Sequence, residues 1–123
     1  MLLYAVLHLR DKPLHGRALR RAVLAKRRKI ERCAAGCGVA GLILFGSVAR
    51  GVASSESDVD VYVAFPGPRD IGAPTRLESC LSRLLDRKVH LTTSRCSEPW
   101  IASALKRDGI PLDSSAMSVL QTL

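Results

Sequence analysis

Two short apolar runs near the middle of the chain constrain its fold more than any other feature. Leu42-Ile43-Leu44-Phe45 is continuous and ends at Gly46, whereas residues 58–65 alternate, with Val59, Val61, Val63 and Phe65 set against Asp58, Asp60, Tyr62 and Ala64. A continuous run of this length, closed by glycine, suits a strand buried on both faces. Strict alternation is a strand of period two, and it places both carboxylates on one face.

Helical periodicity surrounds these strands. Leu19, Ala22, Val23, Ile30, Cys33, Ala34 and Cys37 recur at three- and four-residue spacing with Arg and Lys between them, which predicts one amphipathic helix over 14–37, stopped by Gly36 and Gly38. Thr75 and Glu78 have capping-box spacing ahead of Leu77, Leu81, Leu84 and Leu85, so a second helix is expected over 76–87. Residues 88–93 alternate again, Val89 and Leu91 against His90 and Thr92, as a further strand does. Ser97 is placed to cap a third helix carrying Trp100, Ile101, Ala104 and Leu105, with Gly109 as its stop. The order helix, strand, strand, helix, strand, helix predicts an α/β (α+β) fold, a small mixed sheet backed by helices on one side. The tail from Ser114 carries no signal. No repeat or linker divides the sequence, so a single domain spanning 1–123 is expected, with its core at about 14–112.

At 47% hydrophobic and 24% charged residues, the chain is globular in composition and large enough to fold without a disulfide or structural metal. Its four cysteines, Cys33, Cys37, Cys80 and Cys96, lack the second close pair that a zinc set requires and read as buried, reduced thiols. The apolar run 2–9 has no basic segment before it and is far shorter than the ~20 residues that cross a bilayer. It is a strand, a docking segment or an over-extended start, and the expected location is cytoplasmic. The net charge of +8 is concentrated in Arg17, Arg20, Arg21, Lys26, Arg27, Arg28, Lys29 and Arg32. Such a field attracts RNA, a triphosphate or an acidic protein. A solvated helix face is the alternative, and the lack of interleaved aromatics disfavours an RNA reader.

Two glycine motifs mislead. Gly36-Cys37-Gly38-Val39-Ala40-Gly41 matches the dinucleotide fingerprint in letters, but it follows a helix and opens a strand, the reverse of what that motif needs. Gly46 and Gly51 have P-loop spacing, yet Val52-Ala53 stands where Lys-Ser/Thr belongs, so the phosphate lysine and the magnesium hydroxyl are both missing. What remains is Gly46-Ser47-Val48-Ala49-Arg50-Gly51, six residues, and Ser57-Asp58-Val59-Asp60. Glycine after a buried strand permits a sharp turn, beyond which a loop of free amides and the Ser47 hydroxyl can hold phosphate oxygens. Asp58 and Asp60, two apart on a strand, suit a hard cation such as Mg²⁺ shared with a triphosphate.

This segment resembles the minimal nucleotidyltransferases (MNT) of the DNA polymerase β superfamily, whose signature is Gly-Ser, ten residues, Asp-x-Asp. The likeness extends over about residues 17–112 and includes Lys88-Val89-His90-Leu91 and Asp108-Gly109-Ile110-Pro111-Leu112. It implies a polymerase β-like fold and a Mg²⁺-dependent nucleotidyltransferase (adenylyltransferase) using ATP. Gly46, Ser47 and Arg50 would bind the nucleotide, and Asp58 and Asp60 would bind one or two Mg²⁺ ions. In the family a third carboxylate stands where this chain has His90. Imidazole can serve as a general base near neutral pH but is a poor magnesium ligand, so His90 is either a catalytic group or a polar residue left in a weakened site. The resemblance further implies an antitoxin that transfers AMP to a tyrosine of a HEPN ribonuclease toxin. A non-catalytic module that covers the same partner and an enzyme acting on a small molecule are the alternatives.

Overall fold

The computed structural model describes residues 13–65, 71–94 and 98–123. The expectations for the 2–9 run, Cys96 and Ser97 fall outside them. Four strands, β1 (Gly41–Phe45), β2 (Val59–Ala64), β3 (Val89–Thr93) and β4 (Ile110–Pro111), form one mixed sheet in the order β3-β2-β1-β4. β1 runs antiparallel to β2 and β4, and β2 runs parallel to β3. A proline in β4 is tolerated because that strand lies at the sheet edge, where one side of the ladder is unpaired.

The sheet is covered on both faces, not on one. Leu42, Leu44, Val59, Val61 and Val63 pack with Leu19 and Val23 of α1 (Gly16–Ala25), Ile30 and Ala34 of α2 (Arg27–Ala35) and Leu77 and Leu81 of α4 (Ala73–Leu85). On the opposite face Ile43, Phe45 and Tyr62 pack with Ile101, Ala104 and Leu105 of α5 (Pro99–Asp108) and Ala116 of α6 (Ala116–Gln121). The continuous run in β1 demands this second layer, since both of its faces are apolar and every residue of β1 is buried. Each leucine so buried contributes about 1.5–3 kcal/mol of transfer free energy.

Several elements differ from expectation. The first helix breaks at Lys26, whose N–H bonds Val23 O at 3.0 Å and whose ammonium donates to Leu84 O of α4 at 3.0 Å. The buried positions Leu19, Val23, Ile30 and Ala34 keep one helical stripe across the break, so periodicity conceals it. Helix α4 starts at Ala73 with Pro74 in its first turn and no side-chain cap, a position where proline's missing N–H costs nothing. The Thr75 capping box is therefore not used. α5 starts after Glu98. The tail folds into α6, whose Ala116 is fully buried. Cys33 and Cys80 are joined as a disulfide between α2 and α4, with Cα atoms 5.9 Å apart, and are not reduced thiols. Cys37 is free and half-buried. Helix packing brings the pair together from 47 residues apart, a juxtaposition that spacing along the chain does not reveal. No helix among the described residues is long and apolar enough to cross a membrane.

Candidate active site

Strand pairing assembles the site. Phe45, the last residue of β1, pairs with Asp60 of β2, and Asp60 in turn pairs with His90 of β3. The three positions form one row across the sheet. On this face α5 and α6 cover Ile43, Phe45 and Tyr62, and the other two positions of the row are open, with Asp60 partly exposed and the His90 side chain 64% exposed.

Gly46 follows this row directly, at φ +76°, and a Cβ there would collide with the Asp60 carboxylate at Oδ2. Only glycine meets both conditions. Instead of the open loop expected after β1, the chain turns at once into the short helix α3 (Gly46–Arg50), ended by Gly51 at φ +74°. The change of form has a local cause: Val48 and Ala49 are both buried, and a helical turn lets two successive residues reach the core while Ser47 stays half-exposed. The Ser47 hydroxyl has no hydrogen-bond partner among the described residues. Gly46→Ala is expected to destabilise the fold by about 1–3 kcal/mol through left-handed strain alone. It should also displace Asp60, so urea unfolding and nucleotide binding should both register the change.

Asp60 faces two ways. Its Oδ1 lies 3.5 Å from His90 Nδ1, and its Oδ2 faces Gly46. Burial pushes its carboxyl pKa above the usual range, and the neighbouring Asp58 pushes the same way; the His90 pairing and Arg50 oppose the shift. Asp58 sits just before β2, half-buried, and its carboxylate makes no hydrogen bond or ion pair among the described residues. An unpaired, half-buried carboxylate next to a second one is a donor set that suits a hard divalent cation. Among the described residues no group of three His, Cys, Asp or Glu side chains is arranged to hold a metal, so any ion here would take further ligands from phosphate and water.

Arg50 leaves α3 and meets Asp108 of α5, Nη1 to Oδ2 at 3.4 Å. Asp108 also receives Arg107 Nε at 3.0 Å. Arg50 thus braces α3 against α5 and still lies close enough to affect Asp60. Arg20 Nη1 donates to Ala49 O at 3.3 Å from α1, fixing the far side of α3. Neither Asp108 nor Arg20 stood out in the sequence as part of the site, and helix periodicity alone does not mark either of them.

Residues 26–110 match the family described as nucleotidyltransferase domain. The chain belongs to that family. Among solved structures, this nucleotidyltransferase domain is similar to a minimal nucleotidyltransferase at 33% identity and a TM-score of 0.66, over 75% of this chain and 94% of the other. It is also similar to a toxin–antitoxin structure containing AMP-PNP (23% identity, TM-score 0.63, 75% of this chain and 76% of the other). A third similar structure is a Shewanella oneidensis complex of a tri-AMPylated HEPN toxin with an MNT antitoxin (19% identity, TM-score 0.57, 84% and 78%). The last two establish a shared fold. No curated protein matches the chain significantly. The nucleotidyltransferase fold read from Gly46-Ser47 and Asp58-x-Asp60 is thereby shown.

Proposed function

We propose that this domain transfers AMP from ATP to a hydroxyl of a protein partner, a HEPN-type toxin, and acts as its antitoxin in the cytoplasm. The observation that carries the reading is the row Phe45, Asp60, His90 with Gly46 directly after it. It sets a left-handed glycine turn, a carboxylate and an exposed imidazole side by side at the uncovered end of one sheet face. Two similar structures support the choice of chemistry, one holding an ATP analogue and one an AMPylated toxin.

In this reading the acceptor hydroxyl oxygen bonds to the α-phosphorus of ATP, the bond from that phosphorus to the bridging oxygen breaks, and pyrophosphate leaves. Asp58 and Asp60 would hold Mg²⁺ with the triphosphate, and the ion when bound supplies positive charge to the phosphates and the attacking oxygen. Asp60 Oδ1 orients the His90 ring through Nδ1, which leaves Nε2 toward solvent to take the hydroxyl proton. Arg50 and the amides at the start of α3 would bind phosphate oxygens. Ser47, with its hydroxyl unengaged, adds a charge-assisted hydrogen bond, so Ser47→Ala is expected to cost about 1.5–3 kcal/mol of ATP binding. Calorimetry with Mg-ATP checks this, and unchanged affinity removes Ser47 from the site.

The direct test incubates the chain with α-labelled ATP, Mg²⁺ and the protein encoded next to it, and follows label onto that protein. No transfer under any metal condition, with tight complex formation, turns the reading to its alternative. That second reading, a binding module that neutralises its partner by contact, is favoured by one observation: Asp58, Asp60 and His90 supply two carboxylates where a third would complete the metal set.

A further inference from the structure

Arg87 stands in the short connection between α4 and β3, outside the row of site residues. Its guanidinium spends all its faces on backbone. Nε donates to Ser57 O at 2.8 Å, Nη2 to Ser54 O at 2.6 Å and Nη1 to Leu14 O at 2.7 Å. Asp86, at φ 50°, turns the chain out of α4 just before it, and Arg87 N bonds back to Ser82 O at 3.1 Å. The turn that it grips is otherwise self-contained: Ser54 N and Oγ both bond Ser57 Oγ, at 2.9 and 3.0 Å, and Glu56 N bonds Ser54 Oγ at 3.2 Å. Among the described residues, every hydrogen bond reaching Ser54–Ser57 from outside that turn comes from Arg87.

The next residue is Asp58. From there Val59 N bonds Lys88 O at 2.9 Å, which starts the β2–β3 ladder. Asp58 is therefore held between a ladder that begins on its C-terminal side and a clamped turn on its N-terminal side. Its carboxylate has no partner of its own to fix it. We infer that Arg87 is a positioning residue: by gripping Ser54 and Ser57 it sets where the Asp58 carboxylate stands relative to Asp60, and so sets the site's affinity for a divalent cation. A planar five-donor fork suits this role, since one ammonium cannot span three carbonyls spread over the Ser54–Ser57 turn and Leu14. The inference rests on the reading of Asp58 as a metal ligand.

The test compares the full chain with Arg87→Ala and Arg87→Lys by two readouts. One is peptide-level hydrogen exchange, and the other is Mn²⁺ uptake with a non-hydrolysable ATP analogue, followed by electron paramagnetic resonance. Both variants are expected to speed exchange in 54–58 about tenfold or more while exchange in β1 and β2 stays close to the parent's. Both should weaken Mn²⁺ uptake about tenfold, the lower end of what residues supporting a metal ligand cost. If Arg87→Ala does not fold, Arg87→Lys, which keeps the stem and the charge, carries the comparison. Exchange that rises equally across the sheet, or Mn²⁺ uptake unchanged although 54–58 has loosened, overturns the inference and leaves Arg87 a general brace. A parent protein that takes up no Mn²⁺ with the analogue overturns the metal reading itself, and is told apart by the parent measurement alone.

Discussion

Replacing Asp58 and Asp60 together by asparagine should reduce AMP transfer by about a thousandfold or more, because the change removes the charge that would hold the metal and leaves the reacting phosphates uncompensated. The amide is close to the carboxylate in shape, so the Phe45–Asp60–His90 row should persist. The fold itself should not suffer. Burial and the Asp58 charge raise the Asp60 pKa, so the folded state penalises the ionised form. The contribution of such a group to stability is present below the ordinary carboxylate range and is lost as pH rises through the raised value. At neutral pH the double variant is accordingly expected to melt at or above the temperature of the parent, and the difference should vanish in acid. Calorimetric titration with Mg-ATP and melting curves across pH make the comparison. A variant that binds Mg-ATP as tightly as the parent removes both aspartates from the site.

The second large effect concerns His90. His90→Asp should raise transfer by about 10- to 100-fold, since the pairing of Asp60 with His90 sets the new carboxylate beside the existing ones and completes a three-acid donor set. His90→Ala should remove about 100-fold or more of any parental activity, the usual contribution of a positioned general base. The aspartate also adds a like charge beside Asp60, so without metal the His90→Asp protein should be less stable than the parent, and Mg²⁺ should restore it. Strong parental transfer that survives His90→Ala shows that the imidazole has no catalytic part. A His90→Asp protein as inactive as its parent favours the binding module.

The sequence made the centre of this fold legible because its signals are local. The period-two run and the continuous run name β2 and β1 without reference to anything distant, and Gly46 and Ser47 declare a turn by residue type. Non-local facts were not legible. Alternation put His90 and Asp60 on polar faces, but their adjacency depends on β2 and β3 pairing in parallel, which no spacing states. α6 leaves no trace in the sequence pattern because a six-residue helix offers too few apolar positions for a period to emerge. The second covering layer, in contrast, was implied by Leu42–Phe45 itself, since a strand apolar on both faces cannot be served by helices on one.

The bond between Cys33 and Cys80 closes a covalent ring around the middle of the chain. Gly46, Ser47, Arg50, Asp58 and Asp60 all lie inside the ring, and His90 lies outside it. With 47 residues of separation, the chain-entropy account assigns the ring roughly 4 kcal/mol through the freedom it takes from the unfolded chain. The half of the site proposed to hold the nucleotide and the half proposed to take the proton are therefore secured by different means. The first is tied into a loop whose ends stay together even when the helices loosen. The second depends on β3 remaining paired at the edge of the sheet, so fraying of that edge separates the imidazole from the carboxylates while the ring keeps the rest of the site within one short tether.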